Sequence, residues 1–312
     1  MKLDALLDFA RGAGRRFVLG SLLPVTLAIV TVAALLAAGA PQHHPSPTTF
    51  INTINKLNAG SGLALALLAL TAALLLTPLQ LPLVRLLEGY WPDTLPLGAW
   101  KNRRRDAYAR RRKADEETTA PRQAPPEDVA ESARIATAAW RLLHVHPADD
   151  ARTMPTRLGN VLRTAEDQAG GRYGLDTVTF WPRLYPLLSD QLREVVDDAR
   201  DQLDLTTQYC ATFAVTAAAT AALLIAHGGW WLLLPVGLSL ASTVAYRASV
   251  TAALVYGQAL NTAFDVHRFA LRQSLHLPLP PDLATEIKWN RELTAFLAQG
   301  FDTSLSYEHP PS

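Results

Sequence analysis

The sequence predicts an all-α, polytopic membrane protein with four transmembrane helices, a helical cytosolic domain between spans 2 and 3, and a helical C-terminal extension. Charged residues make up only 18% of the 312 residues, whereas soluble domains usually contain about 25%. Long apolar runs alternate with highly charged segments, and Lys and Arg are concentrated on one predicted side of the membrane.

Four stretches contain the roughly 20 apolar residues that a transmembrane helix needs. They lie at about residues 17–38, 62–84, 209–227 and 230–246. The short link between the last two predicts an antiparallel hairpin, and Pro78 and Pro82 should kink the second span near its end. Buried helices of a soluble protein are the alternative, but they rarely run for about twenty residues without a charge.

The distribution of basic residues predicts the orientation. Lys and Arg precede span 1 and follow spans 2 and 4, whereas the loop at 40–61 contains only Lys56. Because cytosolic flanks carry an excess of Lys and Arg, we expect both termini in the cytosol. Arg greatly outnumbers Lys and Ala is abundant, as in GC-rich bacterial genomes, so we expect a bacterial plasma membrane.

This topology divides the chain into six segments. They are a cytosolic basic N-terminus (1–16), transmembrane hairpin 1 (17–88), a basic juxtamembrane segment with a Pro-rich linker (89–126), a cytosolic helical domain (127–208), transmembrane hairpin 2 (209–246) and a cytosolic helical C-terminal region (247–312).

A basic block follows span 2 directly. It is a candidate contact for anionic lipid head groups, which attract basic residues close to the membrane surface. The charge also has a simpler explanation as the cytosolic flank of a span, and a net charge of +1 gives no reason to expect nucleic-acid binding. The block comprises Lys101, Arg103, Arg104, Arg105, Arg110, Arg111, Arg112 and Lys113.

The cytosolic domain should contain a helix from Glu127 to about His144 and another over 156–169, capped by Thr156 and ended by two glycines. Between them, His144 and His146 are followed by Asp149 and Asp150. Two histidines and two carboxylates can hold a metal, but Pro147 interrupts the pattern, so we favour a polar turn and expect no metal or other cofactor.

Residues 154–188 include the sequences TRLGN (156–160), RYGLD (172–176) and WPRL (181–184). This segment resembles one in uncharacterised actinobacterial multi-pass membrane proteins. The resemblance covers about a tenth of the chain and implies no activity.

Two charged stripes run along predicted long helices. The acidic stripe recurs every three or four residues on the helix that leads into span 3. The polar stripe follows the helix that leaves span 4, and its Asp265 and Arg268 lie one turn apart, where they can pair. The acidic stripe comprises Asp190, Glu194, Asp197, Asp201 and Asp204, and the polar stripe comprises Gln258, Asn261, Asp265, Arg268 and Arg272.

The simplest interpretation is that both stripes are solvated faces of cytosolic helices. Alternatively, acidic side chains from several copies line a cation vestibule at a pore mouth, or the acidic stripe docks on the basic block.

Two function classes fit these observations, and we favour the first of them. One is an oligomeric, channel-like or pore-like assembly gated by its cytosolic helices. The other is a membrane-anchored scaffold or regulatory protein whose cytosolic helices bind a protein partner. The sequence contains no nucleophile motif and no phosphate-cradling glycine loop, so we do not expect an enzyme. Membrane lipids and further copies of the chain are the expected partners.

Overall fold

The computed structural model describes residues 22–56, 59–76, 80–94, 96–121, 128–300 and 306–308. All regular secondary structure in these ranges is helical, which confirms the all-α prediction. The α-helices are α1 (Leu23–Ala37), α2 (Pro47–Ile54), α3 (Ala59–Leu76), α4 (Gln80–Glu88), α5 (Leu97–Thr119), α6 (Val129–His144), α7 (Arg157–Ala169), α8 (Thr177–Leu184), α9 (Asp190–Leu224), α10 (Leu233–Ser274) and α11 (Leu283–Gln299).

Helix starts follow the capping residues of the sequence. The Thr156 hydroxyl accepts the amide of Gly159 at 3.0 Å, and the Asp282 carboxylate accepts the amide of Thr285 at 2.8 Å. These side chains satisfy amide groups that have no partner inside the first helical turn. The predicted N-terminal segment 1–16, the kink at Pro78 and most of the Pro-rich linker lie outside the described residues.

Among the described residues, two helices are long and apolar enough to cross a membrane, Asp190–Leu224 and the stretch Gly229–Ser274 that includes α10. By contrast, α1 has 15 residues, and the apolar described part of α3 spans only Gly62–Ala72. Residues 77–79, between α3 and α4, lie outside the described residues. The structure thus supports two spans and does not confirm four.

The chain divides into two compact units. Unit 1 contains residues 1–86 and 201–249, and unit 2 contains residues 87–200 and 250–312. In unit 1, a small core of Leu35, Ala40 and Leu224 packs with Trp231, whose indole N–H donates to the carbonyl of Pro45 at 3.1 Å.

Unit 2 has the larger apolar core. Phe180, Leu184, Val196, Phe264 and Leu271 are all at most 2% exposed. They bring together α8, the start of α9 and the end of α10.

Two glycines permit close backbone contacts in unit 2. A Cβ on Gly159 would collide with the carbonyl of Glu88, and one on Gly174, whose φ is +76°, would lie 2.6 Å from the carbonyl of Ile287. These contacts hold α7 against the end of α4, and they hold the turn after α7 against α11.

Candidate functional site

The basic helix α5 is bound to the segment that precedes α7. Arg105 donates from Nε to the carbonyl of Thr153 at 2.8 Å and from Nη2 to that of Ala151 at 2.9 Å. Arg104 donates to the carbonyl of Pro155 at 3.3 Å. These arginines therefore satisfy backbone acceptors of a loop, in addition to supplying positive charge near a predicted span.

Other members of the basic block form ion pairs. Lys101 Nζ lies 2.7 Å from Asp93 Oδ1, and this hydrogen bond lowers the pKa of the Asp93 carboxyl. Arg112 pairs with Glu116 at 2.9 Å and with Asp150 at 2.8 Å. The remaining members, Arg103, Arg110, Arg111 and Lys113, are exposed. The block thus has an inner set held by unit 2 and an outer set open to solvent.

A cavity of about 400 Å³ opens between the start of α5 and the loop before α7. We call it the basic pocket. Every ionisable residue that lines it is basic, apart from the phenol of Tyr90. Its lining consists of Gly89, Tyr90, Lys101, Arg105, Ala151, Arg152, Thr153, Met154, Pro155 and Arg163.

The carboxylates that pair with these cations are absent from the pocket lining. Arg152 Nη2 lies 2.8 Å from Asp167 Oδ1, and Arg163 Nη1 lies 3.0 Å from Glu166 Oε2. Burial raises the pKa values of both carboxyls, while the two arginines oppose this rise. These two carboxylates pair with the arginines from outside the pocket lining.

Two polar atoms of the basic pocket lack hydrogen-bond partners among the described residues. They are Oγ1 of Thr153, a residue only 4% exposed, and Nε of Arg152. A buried polar atom without a partner is unusual and costs free energy. Both atoms are enclosed, and both belong to residues that line the cavity.

A second cluster joins α5, α6 and the turn after α6. The buried carboxylate of Asp115 accepts a hydrogen bond from Arg141 Nε at 2.8 Å and lies 3.1 Å from His146 Nε2. Arg141 is the main reason that the pKa of Asp115 is lowered, and burial lowers the pKa of His146. The adjoining cavity of about 500 Å³ is also lined by Trp140 and Arg157.

In the part of the chain that the structure describes, the histidine-rich turn does not bring three or more candidate metal ligands together. His144 stacks on Trp140 with ring centres 5.0 Å apart, whereas His146 faces Asp115. Asp149 instead caps a short 3-10 helix at Asp150–Arg152.

The acidic stripe extends from unit 2 into unit 1. Asp190 and Glu194 are exposed, and Asp201 and Asp204 are half-buried. The phenol of Tyr185 donates to both carboxylate oxygens of Asp197, at 2.8 and 2.9 Å, and this raises the pKa of Tyr185. At least one member of the stripe is therefore engaged within unit 2.

The polar stripe is not a uniformly solvated face. Its first members, Gln258 and Asn261, line a narrow cleft. At its other end, Arg272 is only 5% exposed and donates to Oδ1 of the buried Asn290 at 2.8 Å. The solvated interpretation is wrong for this end, because α11 covers it.

Asp265 and Arg268 do not pair through their side chains. The Asp265 carboxylate accepts the phenol of Tyr173 at 2.6 Å, whereas Arg268 donates to the backbone carbonyl of Asp265. The carboxylate partner of Arg268 is Glu286 on α11, at 3.0 Å. Helical spacing could not identify Glu286 as the partner, because a proline-rich turn separates it from Arg268.

Sequence reasoning also missed Arg152, Thr153 and Arg163. Arg152 and Arg163 lie on either side of the start of the well-capped helix α7, which is the one sequence feature that connects them. Neither residue belongs to a recognisable motif. No protein-family model, curated protein or solved structure matches this chain.

Proposed function

We propose that this protein is a non-catalytic integral membrane protein of the bacterial plasma membrane that holds a helical regulatory or scaffolding unit at the cytosolic surface. Unit 1 is the membrane anchor, and unit 2 is the part that binds partners. The proposal includes the four-span topology with both termini in the cytosol.

The observation that carries this proposal is the inverted polarity of unit 1. Large apolar side chains point outward, including Leu27 on α1, Leu67 on α3 and Leu240 on α10, at 53%, 54% and 65% exposure. Only 39% of the most apolar stretch of α9 and 22% of that of α10 are buried. The core helix of a soluble protein would be mostly buried, and such a surface would aggregate in water.

Hydroxyl groups, by contrast, lie inside unit 1. Thr207, Thr216 and Thr220 are at most 4% exposed. Each donates to a carbonyl of its own helix, at 3.0, 2.7 and 2.8 Å. Because no water is present in the bilayer core, polar groups there must be satisfied within the protein. This arrangement suits a lipid environment.

Unit 2 supports the scaffolding part of the proposal. Ion pairs join α5 to α6 through Asp115 and Arg141, and α10 to α11 through Arg268 and Glu286, which suits a rigid binding unit. The exposed outer set of the basic block favours anionic head groups, with each cation contributing about 1 kcal/mol near the surface.

Topology can be tested with single cysteines in a Cys210→Ala background. We would place them at His43, in the predicted outer loop, and at Arg110, in the basic block. A membrane-impermeant maleimide applied to intact cells should label position 43 and leave position 110 unlabelled until lysis. If only hairpin 2 crosses the membrane, both positions lie on one side and label alike. Release of the chain by carbonate washing would refute membrane insertion altogether.

An oligomeric pore remains the second candidate. It is favoured by the exposed Asp190 and Glu194 at the start of α9, the helix that continues into the apolar stretch. Ion flux through proteoliposomes tests it, with Asp201→Asn and Asp204→Asn as the variants. A scaffold predicts no flux above that of empty vesicles, whereas a pore predicts flux that these variants reduce. A monomer in detergent would also exclude the pore, since four largely apolar spans cannot enclose a water path.

A further inference from the structure

We propose that the basic pocket binds a phosphate group. The inference rests on the proposed function only for the origin of the ligand. A pocket held at a membrane surface meets phospholipid head groups as well as soluble phosphates, and both present the same chemistry.

The charge of the lining favours an anion. Lys101, Arg105, Arg152 and Arg163 all border the cavity, and no carboxylate does. Their counter-charges lie elsewhere, on the exposed Asp93 and on the partly buried Glu166 and Asp167. Arg105 has no ion pair within the described residues, and an anion in the cavity would supply a counter-charge for it.

The free donors favour a ligand with several oxygens. Arg105 donates from Nε and Nη2 to backbone carbonyls, and its Nη1 can donate to a further acceptor. Within the described residues, Arg152 Nε and Thr153 Oγ1 have no partner at all. Arg105 lies on α5, whereas Arg152 and Thr153 lie before α7, and all three residues line the cavity. A phosphate has oxygens directed to more than one side, and guanidinium groups bind it in a fixed geometry.

The size of the cavity agrees with this assignment. Its volume of about 400 Å³ exceeds the roughly 30 Å³ that one water molecule occupies in the liquid by more than tenfold. A phosphate with a small substituent, such as glycerol, therefore fits. The substituent would lie beside Tyr90 and the apolar side chains of Met154 and Pro155.

The test uses the full-length protein purified in a non-ionic detergent. Binding of three probes would be measured by calorimetry: inorganic phosphate, glycerol 3-phosphate and dihexanoyl phosphatidic acid. Binding of all three points to the phosphate group itself, whether the source is free or lipid. Binding of phosphatidic acid alone points to a lipid head group. Both results support the site, and the absence of binding by every probe overturns it.

Two variants and one control identify the pocket. Thr153→Val removes the free hydroxyl at nearly constant volume, and Arg152→Lys keeps the charge but removes the Nε donor. Each should weaken binding about tenfold, as expected for loss of a hydrogen bond to a charged group. Arg110→Gln removes a positive charge from the exposed face of α5, outside the pocket, and should leave affinity within about twofold.

Thermal stability without ligand separates binding from folding. Thr153→Val should be as stable as the parent protein or more stable, because its hydroxyl has no partner in the free protein. Equal weakening by Arg110→Gln would mean that surface charge alone attracts the probes, and the pocket assignment would fail. This outcome leaves the proposed membrane function untouched, since cysteine labelling tests that separately.

Discussion

Helix α11 should be held in place by its buried contacts with α10, and Glu286→Gln tests this most sharply. Glu286 accepts Arg268 Nε at 3.0 Å, and the two side chains are 4% and 20% exposed. The change keeps the shape of the side chain and removes its charge. Arg268 then loses its carboxylate partner while its guanidinium remains largely enclosed.

The size of the stability loss depends on the contacts that Arg268 keeps in the variant. Removing one partner of a fully buried pair costs about 3–5 kcal/mol. Arg268 is partly solvated, and it also lies over the rings of Tyr173 and Phe269, at 4.3 and 4.2 Å. A hydrogen bond between charged groups contributes about 1.5–3 kcal/mol. We therefore expect a loss of about 2 kcal/mol, close to the middle of that range.

Hydrogen exchange of the α11 amides measures this loss locally. A loss of about 2 kcal/mol corresponds to about thirtyfold less protection if α11 opens as one unit. Glu292→Gln is the matched control, because it makes the same change on the exposed face of the same helix. Equal protection in the two variants would refute the reasoning, since it would mean that the buried pair contributes nothing.

Two further variants address the packing and the pH response of unit 2. Gly159→Ala should destabilise the protein by at least about 2 kcal/mol in thermal unfolding, because the new Cβ would collide with the Glu88 carbonyl, whereas Gly171→Ala, with no atom within 4 Å, should change little. The lowered pKa of buried His146 means that folding stability is present above the unfolded pKa of about 6.5 and is lost as pH falls below it. The fall in Tm between pH 7.5 and 5.5 should be smaller in His146→Gln, and an unchanged slope would show that this histidine is not responsible.

The sequence predicted local structure well because the signals were local. The cap at Thr156 determines where α7 begins, and the absence of Gly and Pro between residues 189 and 228 allows α9 to continue. Each depends on residues within a few positions of one another. The bounds of α7 therefore agree with the expected helix over 156–169 to within one residue.

The partners of the charged residues could not be predicted, because they depend on tertiary contacts. Arg105 donates to backbone carbonyls nearly fifty residues away. Because every residue has such a carbonyl, the sequence does not indicate which one accepts. Spacing alone paired Arg268 with Asp265, whereas the fold brings Glu286 within 3.0 Å. Periodicity identifies the face of a helix on which a charge lies, but another helix decides whether that face meets solvent.

The basic block contributes both to the predicted membrane orientation and to hydrogen bonds with the loop before α7. One conservative substitution can separate these two contributions. Membrane orientation depends on positive charge alone, whereas the bonds from Arg105 to Thr153 and Ala151 need the shape of a guanidinium. In Arg105→Lys, labelling at position 43 should therefore be unchanged, while stability falls by about 1–2 kcal/mol, discounted for the partial exposure of the side chain. Arg110→Lys makes the same exchange at an exposed position and should alter neither. If Arg105→Lys unfolds at the same temperature as Arg110→Lys, the block acts through charge alone.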